Sequence, residues 1–271
     1  MRLHLGPHRD RARRDAETLL LHLLGKNRAW MLAHFDDELG YEWAEQYIAM
    51  LERRFAGEPI QYIMGEAEFY RLPFRVTPDV LIPRPETEHV VEKVVALAPL
   101  FNRPRIVDVG TGSGAIAVAL AHEWADAVVM ATDVSASALE VARDNARRTG
   151  FADRVRFVEG DLLEPVAGEQ FDIVVSNPPY VPDGDRESLA VEVRDYEPGQ
   201  ALFAGADGLD VYRRLIPQAF AALVPGGYLV LEIGHGQEPP VGALLAEAGF
   251  KDAEFNADLQ GIPRVACARR Q

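Results

Sequence analysis

Cysteine is almost missing from this chain: of 271 residues only Cys267 carries a thiol, which excludes an internal disulfide. It lies in the strand-like run 265–268 and reads as a buried structural thiol rather than a nucleophile. No clustered Cys/His spacing occurs either, so no metal is implied. Long hydrophobic runs are missing too. Near the N-terminus the longest is 19–24, interrupted by His22 and too short for a membrane span or a signal core, so a cytoplasmic protein is expected, with no membrane partner. Positive charge is scarce, with 28 Lys and Arg against 42 Asp and Glu and a net charge of −14. A chain this acidic is poorly suited to gripping a polyanion, so no direct nucleic-acid substrate is expected, although a local basic patch can survive the average. Arg9, Arg11, Arg13 and Arg14 alternate with Asp10 and Asp15, as on a solvated helix face rather than in a transit peptide. There are no repeats and no low-complexity tract.

What is present suffices for a sizeable core: 48% of the residues are hydrophobic, and the length predicts about two domains. Runs 11–24, 29–34 and 43–55 space Leu, Met, Trp and Ile as helices do, with breaks at 25–27 and 36–40. They predict a small all-helical domain over 1–60. A hairpin over 65–76, with Pro73 between its arms, is expected within a linker spanning 61–85. From residue 86 helix and strand alternate. A helix runs to 98, strands follow at 105–109, 127–132, 154–158, 171–176 and 228–233, and two last strands at 250–255 and 264–268 must pair antiparallel because their connection is too short for a crossover. The expected architecture over 86–271 is a Rossmann-like α/β domain, a seven-stranded doubly wound sheet ending in an antiparallel hairpin.

Chemistry concentrates at the ends of four successive strands. Asn177, Pro178, Pro179 and Tyr180 follow the strand 171–176, and the prolines stiffen the turn. Such a turn can offer the Asn177 side-chain carbonyl and the Pro178 main-chain carbonyl to one planar NH2 group, with Tyr180 as a flat apolar neighbour. This points to amide or amine methylation, against the plainer reading of a strand ended by proline. Strand 105–109 runs into Gly110, Thr111, Gly112, Ser113 and Gly114 and then an Ala-rich helix over 115–122, the arrangement that cradles a nucleotide. The spacing G-x-G-x-G favours S-adenosylmethionine over a dinucleotide, with a nicotinamide or flavin enzyme as the competitor. Asp133 ends the next strand, where a carboxylate can accept both ribose hydroxyls. Asp161 and Leu162 close the third unit and suit the adenine amine and ring, although an Asp there is also an ordinary turn residue. In an open parallel sheet all four strand ends converge on one crevice.

With these motifs the chain resembles the PrmC/HemK family of release factor glutamine methyltransferases over nearly its whole length. The resemblance extends to Gly57, Glu58, Pro59, Ile60, Gln61, Tyr62 and Gly65, to Pro83, Arg84, Pro85, Glu86, Thr87 and Glu88, to Glu197 and Pro198, and to Leu231, Glu232, Ile233 and Gly234. It implies a class I S-adenosylmethionine-dependent methyltransferase that modifies the side-chain amide of the glutamine in the Gly-Gly-Gln motif of class 1 peptide chain release factors. A monomer is expected, with the helical domain recognising the substrate. Leu162 stands where some relatives carry an aromatic. A ribosomal-protein glutamine methyltransferase is the nearest alternative, since it shares the catalytic half. A DNA or RNA amine methyltransferase comes next, and an idle binding scaffold last. His235, between glycines, is expected as a turn residue. Arg84, Glu86 and Glu88 either shape the cleft mouth or form a helix cap and first turn. The segment 181–206 is expected to close over substrate.

Overall fold

A computed structural model describes the backbone of residues 7–271 and the side chains from residue 11 onward. Residues 1–6 of the expected helical domain, and the Arg9 and Asp10 side chains assigned to its solvated face, lie outside the described residues. The described chain begins with helices α1 (Pro7–Leu24), α2 (Arg28–Ala33), α3 (Tyr41–Phe55) and α4 (Ile60–Met64), then the hairpin β1 (Glu66–Phe69) and β2 (Leu72–Arg75). The remainder runs α5 (Glu88–Ala96), β3 (Arg105–Val109), α6 (Ala115–Glu123), β4 (Val128–Asp133), α7 (Ala136–Arg148), β5 (Val155–Glu159), β6 (Phe171–Ser176), α8 (Val191–Arg194), α9 (Asp210–Ala222), β7 (Leu223–Glu232), α10 (Glu238–Glu247), β8 (Lys251–Ala257) and β9 (Pro263–Arg269).

Two compact units emerge from the contacts. The first comprises the chain up to Gly65 together with Val191–Tyr196. In it α1 packs on α3 around the fully buried Leu19. Tyr47 donates its hydroxyl to the Ala16 carbonyl at 3.0 Å, and Arg54 pairs with Asp15 at 2.7 Å. Asn27 caps α2 by accepting the Trp30 amide at 2.9 Å, which explains why so short a helix forms. The five-residue α4 is too short to show a helical period in sequence, and Gly65 ends it at φ 75°. Residues 191–196 belong to this unit through Glu192, which takes Arg11 at 2.5 Å and Arg54 at 3.0 Å, and Tyr196, whose hydroxyl donates to the Ala56 carbonyl at 2.9 Å. Gly57 is required beneath them, because a Cβ there would lie 2.9 Å from a Val191 methyl.

The second unit holds 66–190 and 197–271 and carries the seven-stranded sheet, in the order β5-β4-β3-β6-β7-β9-β8. Strands β3 to β7 are parallel and β9 is antiparallel to both neighbours. Ile106, Val107 and Val109 form a nearly unbroken apolar run because β3 is covered on both faces. Helix α6 is buried all round from Ala115 to Ala121, which explains its lack of a polar face. The chain leaves β3 for β4 and β5 on one side and reaches β6 on the other, so the reversal of strand order falls between β3 and β6. That is where a crevice opens in such a sheet.

Two expectations are corrected by this arrangement. The hairpin turns at Tyr70 and Arg71, both with positive φ (50° and 62°), and Pro73 lies inside β2 opposite Glu68. A two-stranded ribbon tolerates proline wherever its missing N–H faces outward. Strand β7 starts at Leu223 rather than 228: its pairing with β6 shifts register between Leu223 and Tyr228, and Gly227 lies so close to the Asp172 carbonyl that a Cβ there would come within 2.9 Å, so 225–227 is an irregular part of the strand instead of a break. The hairpin, which lies within the expected linker 61–85, groups by its contacts with the second unit. The buried Asn145 side chain holds it there, accepting the Arg75 amide at 2.7 Å and donating to the carbonyls of Arg75 and Ser113, both at 2.9 Å.

Candidate active site

Register alone brings the glycine loop and the proline turn together. Ile106, Val107 and Asp108 pair with Ile173, Val174 and Val175, and the Ser176 hydroxyl donates to the Val109 carbonyl at 2.6 Å, so the chains after Val109 and Ser176 leave side by side. On the other side of β6, Ser176 pairs with Leu231, which sets Asn177 next to Glu232. Asn177 therefore stands between the glycine loop and the end of β7.

The glycine loop is held from below by main chain and buried acid. The Thr132 carbonyl accepts both the Gly110 and Thr111 amides, at 2.9 and 3.0 Å. The Thr111 hydroxyl donates to Asp108 at 2.6 Å, and Asp108 is fully buried, which pushes its carboxyl up to about 7. Gly112 has φ 55° and donates its amide to Asp133 at 2.8 Å. A Cβ built on Gly110 or Gly112 would meet nothing within 4 Å, so open space lies over the loop, whereas one on Gly114 would press on Ala142 at 3.1 Å. Gly114 thus serves helix packing.

A cavity of about 270 Å³ occupies that space. Gly110, Thr111, Gly112, Ser113, Asp133, Asp161, Leu162, Asn177 and Pro179 line it, joined by Arg84, Thr87, Gln200 and Arg214. Gly114, Pro178 and Tyr180 are outside its lining. Asp133 accepts the Gly112 amide on one oxygen and the Ser135 amide, at 2.9 Å, on the other, which aims the carboxylate and leaves each oxygen lone pairs for a ligand. Its burial raises the carboxyl above the ordinary range, opposed by these amides. Asp161 forms an ion pair with Arg214, a partner that the sequence did not suggest. Leu162 sits at φ 49°, held by the Thr132 hydroxyl donating to its carbonyl at 2.9 Å.

The proline turn is organised by side chains from distant segments. The Asn177 amide donates to the Thr87 hydroxyl at 3.0 Å, and Thr87 donates to the Glu232 carboxylate at 2.6 Å. Tyr180 donates its phenol to the other oxygen of Glu232 at 3.2 Å, and Gln237 donates to the Tyr180 carbonyl at 3.0 Å. Burial and the nearby Glu232 drive the Tyr180 phenol well above its usual range, so it remains a donor. Arg84 pairs with the buried Glu197 at the rim, while Glu88 accepts the Tyr70 amide at 2.8 Å and so anchors the hairpin. His235 is exposed in a turn, and Cys267 is buried in β9 with its thiol pushed up to about 11. Segment 181–206 is clamped at its base, Val181 exchanging hydrogen bonds with Leu202 and Ala204 at 2.8 and 2.9 Å. Thr87, Glu232 and Arg214 are the residues that motif reading passed over as site members, since no local spacing ties them to Asn177 or Asp161.

This pattern of main-chain amides, a carboxylate and open space fits a nucleoside with hydroxyls to bind. Known proteins agree on the fold and more. Residues 4–65 match the PrmC N-terminal domain, and 90–193 the methyltransferase small domain. The release factor glutamine methyltransferase of Geobacter sulfurreducens is 44% identical over 96% of this chain and 90% of its own length. That of Bradyrhizobium diazoefficiens is also 44% identical, over 96% and 89%. Among solved structures, the hMettl16 catalytic domain superposes with a TM-score of 0.61 at 16% identity, over 90% of this chain and 93% of that one. The T. thermophilus RsmC methyltransferase, in complex with AdoMet and guanosine, does so with 0.56 at 20%, over 76% and 50%.

Proposed function

The chain belongs to the release factor glutamine methyltransferase family, and from that premise we propose that it methylates the side-chain amide nitrogen of the glutamine in the Gly-Gly-Gln motif of class 1 release factors, using S-adenosylmethionine. The observation that carries this reading is the Asn177 amide beside the open glycine loop: its NH2 group is committed to Thr87, so its oxygen is the end left for a substrate. When bound, S-adenosylmethionine supplies an electrophilic methyl carbon. The glycine loop admits the nucleoside, Asp133 accepts its ribose hydroxyls, and Asp161 with Leu162 borders the adenine.

An amide nitrogen is a weak nucleophile because its lone pair is delocalised into the carbonyl. The Asn177 Oδ1 and the Pro178 carbonyl accept the two amide hydrogens, which aligns the nitrogen and stabilises the positive charge that grows on it. No prior base is needed, because the alkylated amide is acidic enough to lose its proton to water or a carbonyl afterwards. Tyr180, fixed to Glu232, backs the turn rather than titrating. A protein acting as a monomer in the cytoplasm, with no nucleic-acid substrate and no metal, completes the reading.

The test is incubation with labelled S-adenosylmethionine and, separately, a purified class 1 release factor, ribosomal proteins and DNA. Label is expected on the release factor at the glutamine of Gly-Gly-Gln, and label on ribosomal protein or DNA alone overturns the assignment.

A further inference from the structure

We infer that Glu232 is a positioning residue for methyl transfer: through Thr87 it fixes which end of the Asn177 amide faces the substrate, and it holds the Tyr180 phenol directly, so one buried acid orients both ends of the Asn-Pro-Pro-Tyr turn. The inference rests on the proposed role of Asn177 as an acceptor.

Counting protons gives the direction of the relay. An ionised carboxylate can only accept, and a threonine hydroxyl has one proton. With Thr87 donating to Glu232 at 2.6 Å, its oxygen is left to accept, and only the NH2 end of Asn177 can satisfy it, at 3.0 Å. The amide oxygen is thereby turned away from Thr87, where an incoming NH2 group needs an acceptor. No donor among the described residues reaches that oxygen. If Glu232 becomes a donor, the Thr87 proton is released toward Asn177 and the amide can reverse, presenting NH2 to NH2.

The placement of the acid is otherwise hard to justify. Glu232 is 2% exposed and meets two neutral hydroxyls, so its ionised form gives up hydration without an ion pair in exchange. Every charged or titratable neighbour bears on its state. Thr87 and Tyr180 donate to it and Arg264 favours its charge, Glu86 opposes it, and Tyr212 donates at 2.8 Å to its main-chain carbonyl. Burial outweighs the donors and lifts the carboxyl to about 7, within the range where the relay can be switched.

Glu232→Gln, measured in the full chain at pH 8, is expected to lower the single-turnover rate on the order of 10- to 100-fold, up to the loss that follows a small misplacement of a reacting group. Cofactor affinity should stay within about threefold, a change under 1 kcal/mol. The wild-type rate should fall as pH drops through about 7, and this step should vanish in the variant. Thr87→Val should match Glu232→Gln, with Thr87→Ser recovering most of the loss. A readout independent of turnover is the side-chain amide resonance of Asn177, identified by its disappearance in Asn177→Asp. It should shift between pH 6 and 8 in the wild type, an interval of about one unit around the expected midpoint, and stay fixed in Glu232→Gln. A wild-type rate and pH profile in Glu232→Gln overturns the inference, as does an amide resonance that titrates alike in both proteins. Because the resonance requires no methyl acceptor, it decides the relay even if the release factor proves not to be the substrate.

Discussion

The two halves of the cavity are built from different material. On the side proposed for the cofactor, the loop 110–114 hangs on its own main-chain amides, which donate to the Thr132 carbonyl and the Asp133 carboxylate, with the Thr111 hydroxyl on Asp108 beneath, and the Asp133 side chain is itself aimed by two backbone amides. On the side proposed for the methyl acceptor, Asn177 is aimed by hydroxyl and carboxylate groups from positions 87 and 232, each brought in from another part of the chain. Backbone construction suits binding, since it holds a preformed shape with little side-chain freedom to lose. A relay of side chains suits chemistry, because its polarity can be set by one group. Substitutions in the two halves should therefore fail differently.

The largest effect belongs to the acceptor side. Asn177→Ala should lower turnover about 10²- to 10³-fold, the scale for deleting one preorganised polar group from a transition state, while cofactor affinity changes little. Asn177→Asp keeps an acceptor but adds a charge, and should bind S-adenosylmethionine and methylate poorly, as rapid-quench assays would show. Next comes the cofactor side. Asp133→Ala removes an acceptor worth roughly 1.5–3 kcal/mol, so calorimetry should report an affinity loss of about 10- to 150-fold. Unchanged affinity removes Asp133 from the site.

A smaller effect is expected away from the cavity. Phe35 and Phe55 in the helical unit are 74% and 95% exposed, aromatic side chains of the kind that anchor protein interfaces. Replacing both with Ser should raise KM for the intact release factor about 5- to 30-fold, on the order of 1–2 kcal/mol, and leave a short Gly-Gly-Gln peptide unaffected. Equal losses on both substrates would exclude a docking role.

A further effect is on stability, away from binding and catalysis. Asp108 has a folded pKa raised from 3.8 to about 7, so its contribution is complete below the ordinary carboxylate range and lost as pH rises through about 7. Thermal unfolding between pH 5 and 8 should show Tm falling with pH, and Asp108→Asn should flatten that slope by up to about 1.4 kcal/mol per pH unit. An identical slope in the variant would place the titration elsewhere.

Legibility in the sequence followed the same division. The expected strands at 105–109 and 171–176 match β3 and β6 in both bounds, because strands covered on both faces leave an apolar run with sharp ends. Three glycines at alternate positions, 110, 112 and 114, all with positive φ, mark the loop after β3 by their spacing. Thr87 and Glu232 lie in stretches that carry the family resemblance, but nothing local pairs them, because they are 145 positions apart and meet only once β7 pairs with β6. The Asp161–Arg214 pair was hidden for the same reason. The expected closing loop 181–206 includes 191–196, yet these residues share contacts with the helical unit, and no local pattern distinguishes a solvated charged loop from one whose Glu192 meets two arginines.

The separation of binding from chemistry is tested most directly by single-turnover rates at saturating S-adenosylmethionine for Asp133→Ala and Asn177→Ala side by side. With enough cofactor to fill the weakened site, Asp133→Ala should recover to within about tenfold of the wild-type rate, whereas Asn177→Ala should remain about 10²- to 10³-fold slow at any cofactor concentration. Equal residual rates in the two saturated variants would contradict a cavity with one half for holding the donor and the other for orienting the acceptor.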